Sequence, residues 1–131
     1  MTRNTTFLRR ALAADAIVTG VAAAQMLFGA GLLTGLLGLP EPLLRYAGLS
    51  LIPFVAIVGY LASRENPSRA AVWGVVAYNV LWAIDSVLLL VSGYVAPTAL
   101  GYAFVIAQAS AVAVFAQLQY VGLKRAAVAE A

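Results

Sequence analysis

The chain has 131 residues and contains neither cysteine nor histidine. Their absence excludes disulfides, thiolate and imidazole metal sites, Cys- or His-based catalysis and the usual ligation of haem by His or Cys. Charge is also scarce. Asp, Glu, Lys and Arg make up 10% of the chain, against roughly 25% in soluble domains. The net charge of +3 is scattered singly or in pairs, with no interleaved aromatic platform, which argues against a nucleic-acid surface. No phosphate-cradling glycine loop, GxSxG elbow, HExxH pair or paired-carboxylate acid/base set is present. No cofactor, metal or enzymatic activity is expected from this inventory.

What fills the chain instead is apolar. Hydrophobic residues reach 63% and mean hydropathy is +0.94, and the apolar residues fall into four long runs. The pattern predicts an all-α integral membrane protein, one domain over 1–131, with helices at about 7–39, 43–63, 68–93 and 97–124. Short links predict an up-down-up-down four-helix bundle. Arg3, Arg9 and Arg10 precede the first run, Arg64 and Arg69 separate the second from the third, and Lys124 and Arg125 follow the fourth. The other two links carry no basic residue. Because Lys and Arg in short loops stay on the cytoplasmic side, both termini are expected there. Arg outnumbers Lys seven to one and Ala is abundant, pointing to a GC-rich bacterium and its inner membrane. Asp15 within the apolar stretch after Arg9-Arg10, and the continuation of that stretch to Leu39, predict an uncleaved first span rather than a signal peptide.

The first run exceeds the ~20 residues that a bilayer core requires. It therefore either tilts strongly or loosens at Gly29, Gly31, Gly35 and Gly38. Pro53 is expected to kink the second helix near Gly48 and Leu49. Asn66 or Ser68 is positioned to cap the third helix. Gly31 and Gly35, Gly20 and Ala24, and Ala109 and Ala113 have the small-xxx-small spacing that lets backbones approach. Trp73, Tyr60 and Tyr120 suit the cytoplasmic interface, and Tyr46, Tyr94 and Tyr102 the external one.

Ionisable groups within membrane spans are costly and mark either structural pairs or functional sites. Asp15 lies about 7–8 Å beyond Arg10 along a helix axis, in the cytoplasmic third of the first span, with Thr19 on the same face. Its candidate partners are Arg64, Arg69, Gln117, Gln119 and Tyr120. Asp85 lies roughly 12 Å in from the external end of the third span. Arg45 is the one basic residue outside the cytoplasmic pattern, and an Arg45–Asp85 pair is expected within the bundle, where such a pair fixes register. Gln25, Asn79 and Gln108 are placed to form one interhelical polar layer, with Ser86 adjoining.

In helix number, chain size and an acidic residue in the first span, here Asp15, the architecture is similar to that of small multidrug-resistance-type exporters. That resemblance implies transport by an oligomer. The sequence departs from it in carrying Asp where those proteins carry Glu, and in its one-sided charge bias, since dual-topology members need a nearly neutral one. The expected function is accordingly that of a non-enzymatic membrane protein acting by packing, as an accessory subunit of a larger membrane assembly or by associating with itself in the lipid bilayer. The alternative is an oligomeric channel or transporter for a small solute or cation that uses Asp85, Arg45, Asn79 and Gln108.

Overall fold

The computed structural model describes residues 5–130, with side chains through Ala126. Arg3 of the N-terminal basic set lies outside the described residues. Five helices follow one another: α1 (Thr6–Phe28), α2 (Ala30–Leu37), α3 (Glu41–Ser63), α4 (Arg69–Ser92) and α5 (Ala99–Glu130). No strand occurs among the described residues. Four segments are long and apolar enough to cross a membrane: Thr6–Phe28, Glu41–Ser63, Arg69–Ser92 and Ala99–Ala126.

The first run is not one helix over 7–39. It breaks at Gly29, one of the four glycines at which loosening was expected. There φ is −103° and ψ 9°, while the Gly29 N–H still reaches the Gln25 carbonyl at 2.8 Å. A Cβ at this position would lie 2.7 Å from that carbonyl oxygen, so the bend belongs to glycine. Helix α2 then stops at Gly38, whose φ of +71° forms a left-handed cap that residues with a Cβ adopt only at a cost. The Thr34 hydroxyl closes the turn on the Leu39 carbonyl.

The remaining boundaries have equally local causes. Pro42 sits in the first turn of α3, where its missing N–H is not needed. The helix runs on through Pro53 to Ser63. Ser68 caps α4, its Oγ accepting from the Ala71 N–H at 3.3 Å. Thr98 does the same for α5, accepting from the Gly101 N–H at 3.0 Å.

Helix α1 packs along α3 and against α5, and α4 packs along α5, whereas α3 and α4 touch only sparsely. Their meeting point is the Phe54–Tyr78 stack, with ring centroids 4.4 Å apart. At one end of the molecule the Thr5 hydroxyl donates to the Glu65 carbonyl (2.6 Å) and Arg9 Nε to that of Ala62 (3.1 Å). Arg69 Nη1 reaches the Leu123 carbonyl at 3.0 Å, and the Arg125 guanidinium lies over the Phe7 ring. Elsewhere, Thr98 ties α5 to the end of α2 through the Leu36 and Leu37 carbonyls.

The exterior is apolar, with Ile17, Phe28, Leu32, Leu81 and Val91 exposed, while Asp15, Asn79 and Gln119 are buried. Water would penalise that exterior. A hydrocarbon solvent does not, and it requires the polar groups to find partners inside.

The closest approaches at glycines fall outside the expected small-residue pairs. A Cβ at Gly122 would lie 2.8 Å from Leu8 Cα, and one at Gly101 would overlap the Leu37 carbonyl. Gly31 and Gly35 have open space around them, so they pack against nothing within the described chain. Gly122→Ala is therefore expected to destabilise the protein by about 1–3 kcal/mol through overpacking. Gly31→Ala should leave stability unchanged or raise it slightly, since alanine is the better helix former. Thermal unfolding midpoints of the two variants in the same detergent check this contrast.

Candidate functional site

Two polar features stand out in an otherwise apolar molecule: a buried carboxylate cluster and a cleft between α3 and α4. The cluster begins with a helical repeat. Thr19 follows Asp15 by four residues, which places it one turn on along the same face, and its hydroxyl donates to Asp15 Oδ1 at 2.7 Å. The other carboxylate oxygen takes two further donors from two other helices. Asn79 Nδ2 of α4 lies at 2.9 Å and Gln119 Nε2 of α5 at 2.7 Å. Asn79 Nδ2 also donates to Gln119 Oε1 at 3.0 Å, which closes a ring. Asp15 and Gln119 are fully buried and Asn79 is 1% exposed. Every bond to Asp15 comes from a neutral donor, and no basic side chain lies within ion-pairing distance of it among the described residues.

Of the partners expected for Asp15, Gln119 is the one it meets. Arg69 reaches instead to the Leu123 carbonyl, Arg64 lies over the Tyr60 ring, and Tyr120 packs edge-on against Trp73. Gln117 is exposed. The expected layer of Gln25, Asn79 and Gln108 is divided. Gln25 faces outward, Asn79 joins Asp15, and Gln108 Oε1 accepts the Trp82 indole N–H at 2.9 Å. Ser86 is buried and donates to the Trp82 carbonyl at 2.7 Å, a bond back along its own helix.

The expected Arg45–Asp85 pair is not formed. Arg45 binds Glu41 Oε2 through Nε at 2.9 Å and Nη2 at 2.6 Å, and Nη1 reaches the Leu27 carbonyl at 3.3 Å. The physical reason is local: Glu41 sits one turn earlier on the same helix, in the favourable acid-before-base order, whereas Asp85 lies across the gap between α3 and α4. Both partners are about half exposed, and such pairs contribute little to stability in water.

That gap is a cleft of about 420 Å³. Helix α3 contributes Leu43, Leu44, Tyr46 and Ala47, and α4 contributes Trp82, Asp85, Ser86 and Leu89. Met26, Leu39, Phe104, Val105 and Gln108 complete its lining. A smaller cavity of about 70 Å³ shares Trp82 and Gln108 with the cleft, and Thr19 and Asn79 with the cluster. Polar side chains thus run in sequence from Asp85 and Gln108 to Asn79 and Asp15. No group of three or more His, Cys, Asp or Glu residues that could hold a metal occurs among the described residues.

No protein-family model, no curated protein and no solved structure matches the chain. Its function has to be argued from these two features.

The cluster was partly accessible from spacing. The i, i+4 relation of Asp15 and Thr19 is a sequence signal, and Gln119 was among the candidates. The convergence of Asn79 on the same carboxylate depends on how α4 rotates against α5, which no spacing within α4 gives. Replacing Asp15 by Leu removes the acceptor shared by Asn79 and Gln119 and leaves the buried Gln119 NH₂ without its partner, which is expected to cost about 2 kcal/mol. Combined with Asn79→Leu, the loss should fall short of additive by about 1 kcal/mol, as measured in a double-mutant cycle by denaturant unfolding in bicelles.

Proposed function

We propose that the chain is a non-enzymatic multi-pass protein of a bacterial inner membrane that acts by packing, as an accessory subunit of a larger assembly or by associating with itself. The observation that carries this reading is the Asp15 cluster. The ionisable group buried deepest among the apolar helices is fully occupied in tying α1, α4 and α5 together, and no buried side-chain polar atom of the described residues lacks a partner. Such networks specify one arrangement of helices rather than perform chemistry. The outward-facing glycines Gly31 and Gly35 offer a surface for close helix approach that the described residues do not use.

The orientation belongs to the same proposal. Arg9, Arg69 and Arg125 engage the start of α1, the end of α3 and the facing ends of α4 and α5. Gathering basic residues at one end is what the positive-inside rule requires of an up-down-up-down bundle with both termini in the cytoplasm.

A second reading, transport of a small solute or cation, is favoured by a separate observation: Asp85 is not neutralised by Arg45 but lines an open cleft that a chain of polar residues links to Asp15.

Alkaline phosphatase fused after Pro42 and after Pro97 should be active, and the same enzyme fused after Asn66 inactive. A reversed pattern at any of the three sites contradicts the orientation. Single-molecule photobleaching of the labelled chain in liposomes at high lipid dilution should count two or more copies, or a single copy in fixed ratio with a co-purified subunit. A lone copy that conducts solute would replace the packing reading by the transport reading.

A further inference from the structure

The cleft between α3 and α4 has a charge that no side chain among the described residues answers. Asp85 is exposed on α4, about 10 Å along the helix axis from its last residue, Ser92. It has no hydrogen-bond or ion-pair partner among the described residues. The nearest basic residue in sequence depth, Arg45, is held by Glu41 and the Leu27 carbonyl. It stands two residues from both Leu43 and Ala47, which line the cleft on α3, and so projects from the far side of that helix. Arg9, Arg69 and Arg125 are engaged at the other end of α4 and around it. A carboxylate left without a counter-charge inside a membrane span is costly, and a bound cation would relieve that cost.

The rest of the wall sets what kind of cation. Trp82, Tyr46 and Phe104 line the cleft with aromatic surface, and Leu43, Met26 and Val105 with aliphatic surface. Gln108 Oε1 accepts the Trp82 indole N–H at 2.9 Å and the Ser86 hydroxyl donates to the Trp82 carbonyl at 2.7 Å, which leaves Asp85 as the one charged side chain of the lining. A small hydrated metal ion would find one carboxylate and few oxygens to replace its water shell. An organic cation has a weakly hydrated positive centre that Asp85 and an aromatic face attract together, and an apolar body that the remaining wall accommodates. The volume of about 420 Å³ lies within the roughly 300–1,000 Å³ of small-molecule sites.

We propose that the cleft between α3 and α4 binds a monovalent organic cation with an apolar body, its positive centre against Asp85 and its body against Trp82, Tyr46 and Phe104. The site goes beyond the packing role and holds whether or not the ligand crosses the membrane. Its failure leaves the subunit stoichiometry, on which the packing reading stands, untouched.

The two tryptophans of the chain are Trp73 and Trp82, so Trp73→Phe leaves a single fluorophore in the cleft wall. The full chain carrying that change, in a neutral detergent, is titrated with tetraphenylphosphonium and, separately, with its isosteric anion tetraphenylborate. The cation should produce a saturable change in Trp82 emission, and the anion only a linear, non-saturating drift. Asp85→Asn should weaken the cation at least tenfold. Ala47→Phe, which fills the cleft and keeps the carboxylate, should abolish saturation. Equal cation affinity with Asp85→Asn, or saturable binding of the anion, would overturn the proposal and leave an apolar cavity only. The cation–anion contrast in the otherwise unaltered chain decides the matter even if either cleft variant fails to fold.

Discussion

One carboxylate with three neutral donors holds this molecule in register. Asp15 cannot be solvated by lipid, and its two oxygens accept from Thr19 on its own helix, Asn79 on α4 and Gln119 on α5. Hydrophobic contact does not drive helices together in a bilayer, where the tails are as apolar as the side chains. Sliding or rotating α4 or α5 against α1 would leave the carboxylate or the amides without partners in a medium that provides none. The tight passage of Leu8 past Gly122 is compatible with that single register, since it lies on the same pair of helices, α1 and α5, that Asp15 and Gln119 connect.

The consequence is an uneven bundle. Helices α1, α4 and α5 meet at the Asp15 cluster, whereas α3 joins by packing along α1, with Arg9 and Arg45 bonding backbone carbonyls across that pair. Helix α3 meets α4 sparsely, with Phe54 stacked on Tyr78. Beyond that stack the two helices enclose the cleft. The two aspartates of the spans therefore occupy opposite situations. Asp15 is buried and fully engaged, whereas Asp85 lines the cleft and has no partner among the described residues. One holds the helices and the other is free to meet a ligand.

Much of the fold was legible in the residues. The four apolar runs and Ser68 as a cap are local features, and local features are what a sequence states directly. The break in the first run was legible as a choice among four glycines, and the crowding of Gly29 against the Gln25 carbonyl is what selects one. Pairings between helices were less accessible, because they depend on rotation about each axis. Gln25 and Gln108 share a depth with polar neighbours, yet α1 turns Gln25 outward and Trp82 takes Gln108. Arg45 illustrates the same limit. Counting charges by depth pointed to Asp85, whereas a carboxylate one turn away on the same helix, Glu41, is met with no rearrangement. Gly31 and Gly35 have the spacing of a packing face, but Gly101 and Gly122 are where the backbones come together.

The central claim, that the Asp15 carboxylate locks the amides of α4 and α5, is tested most directly by side-chain amide NMR of the ¹⁵N-labelled chain in nanodiscs. The NH₂ groups of Asn79 and Gln119 should exchange with solvent deuterium far more slowly than that of outward-facing Gln117, and both should shift in the Asp15→Asn variant. Exchange of Asn79 and Gln119 as fast as that of Gln117, or resonances indifferent to the substitution, would contradict the account.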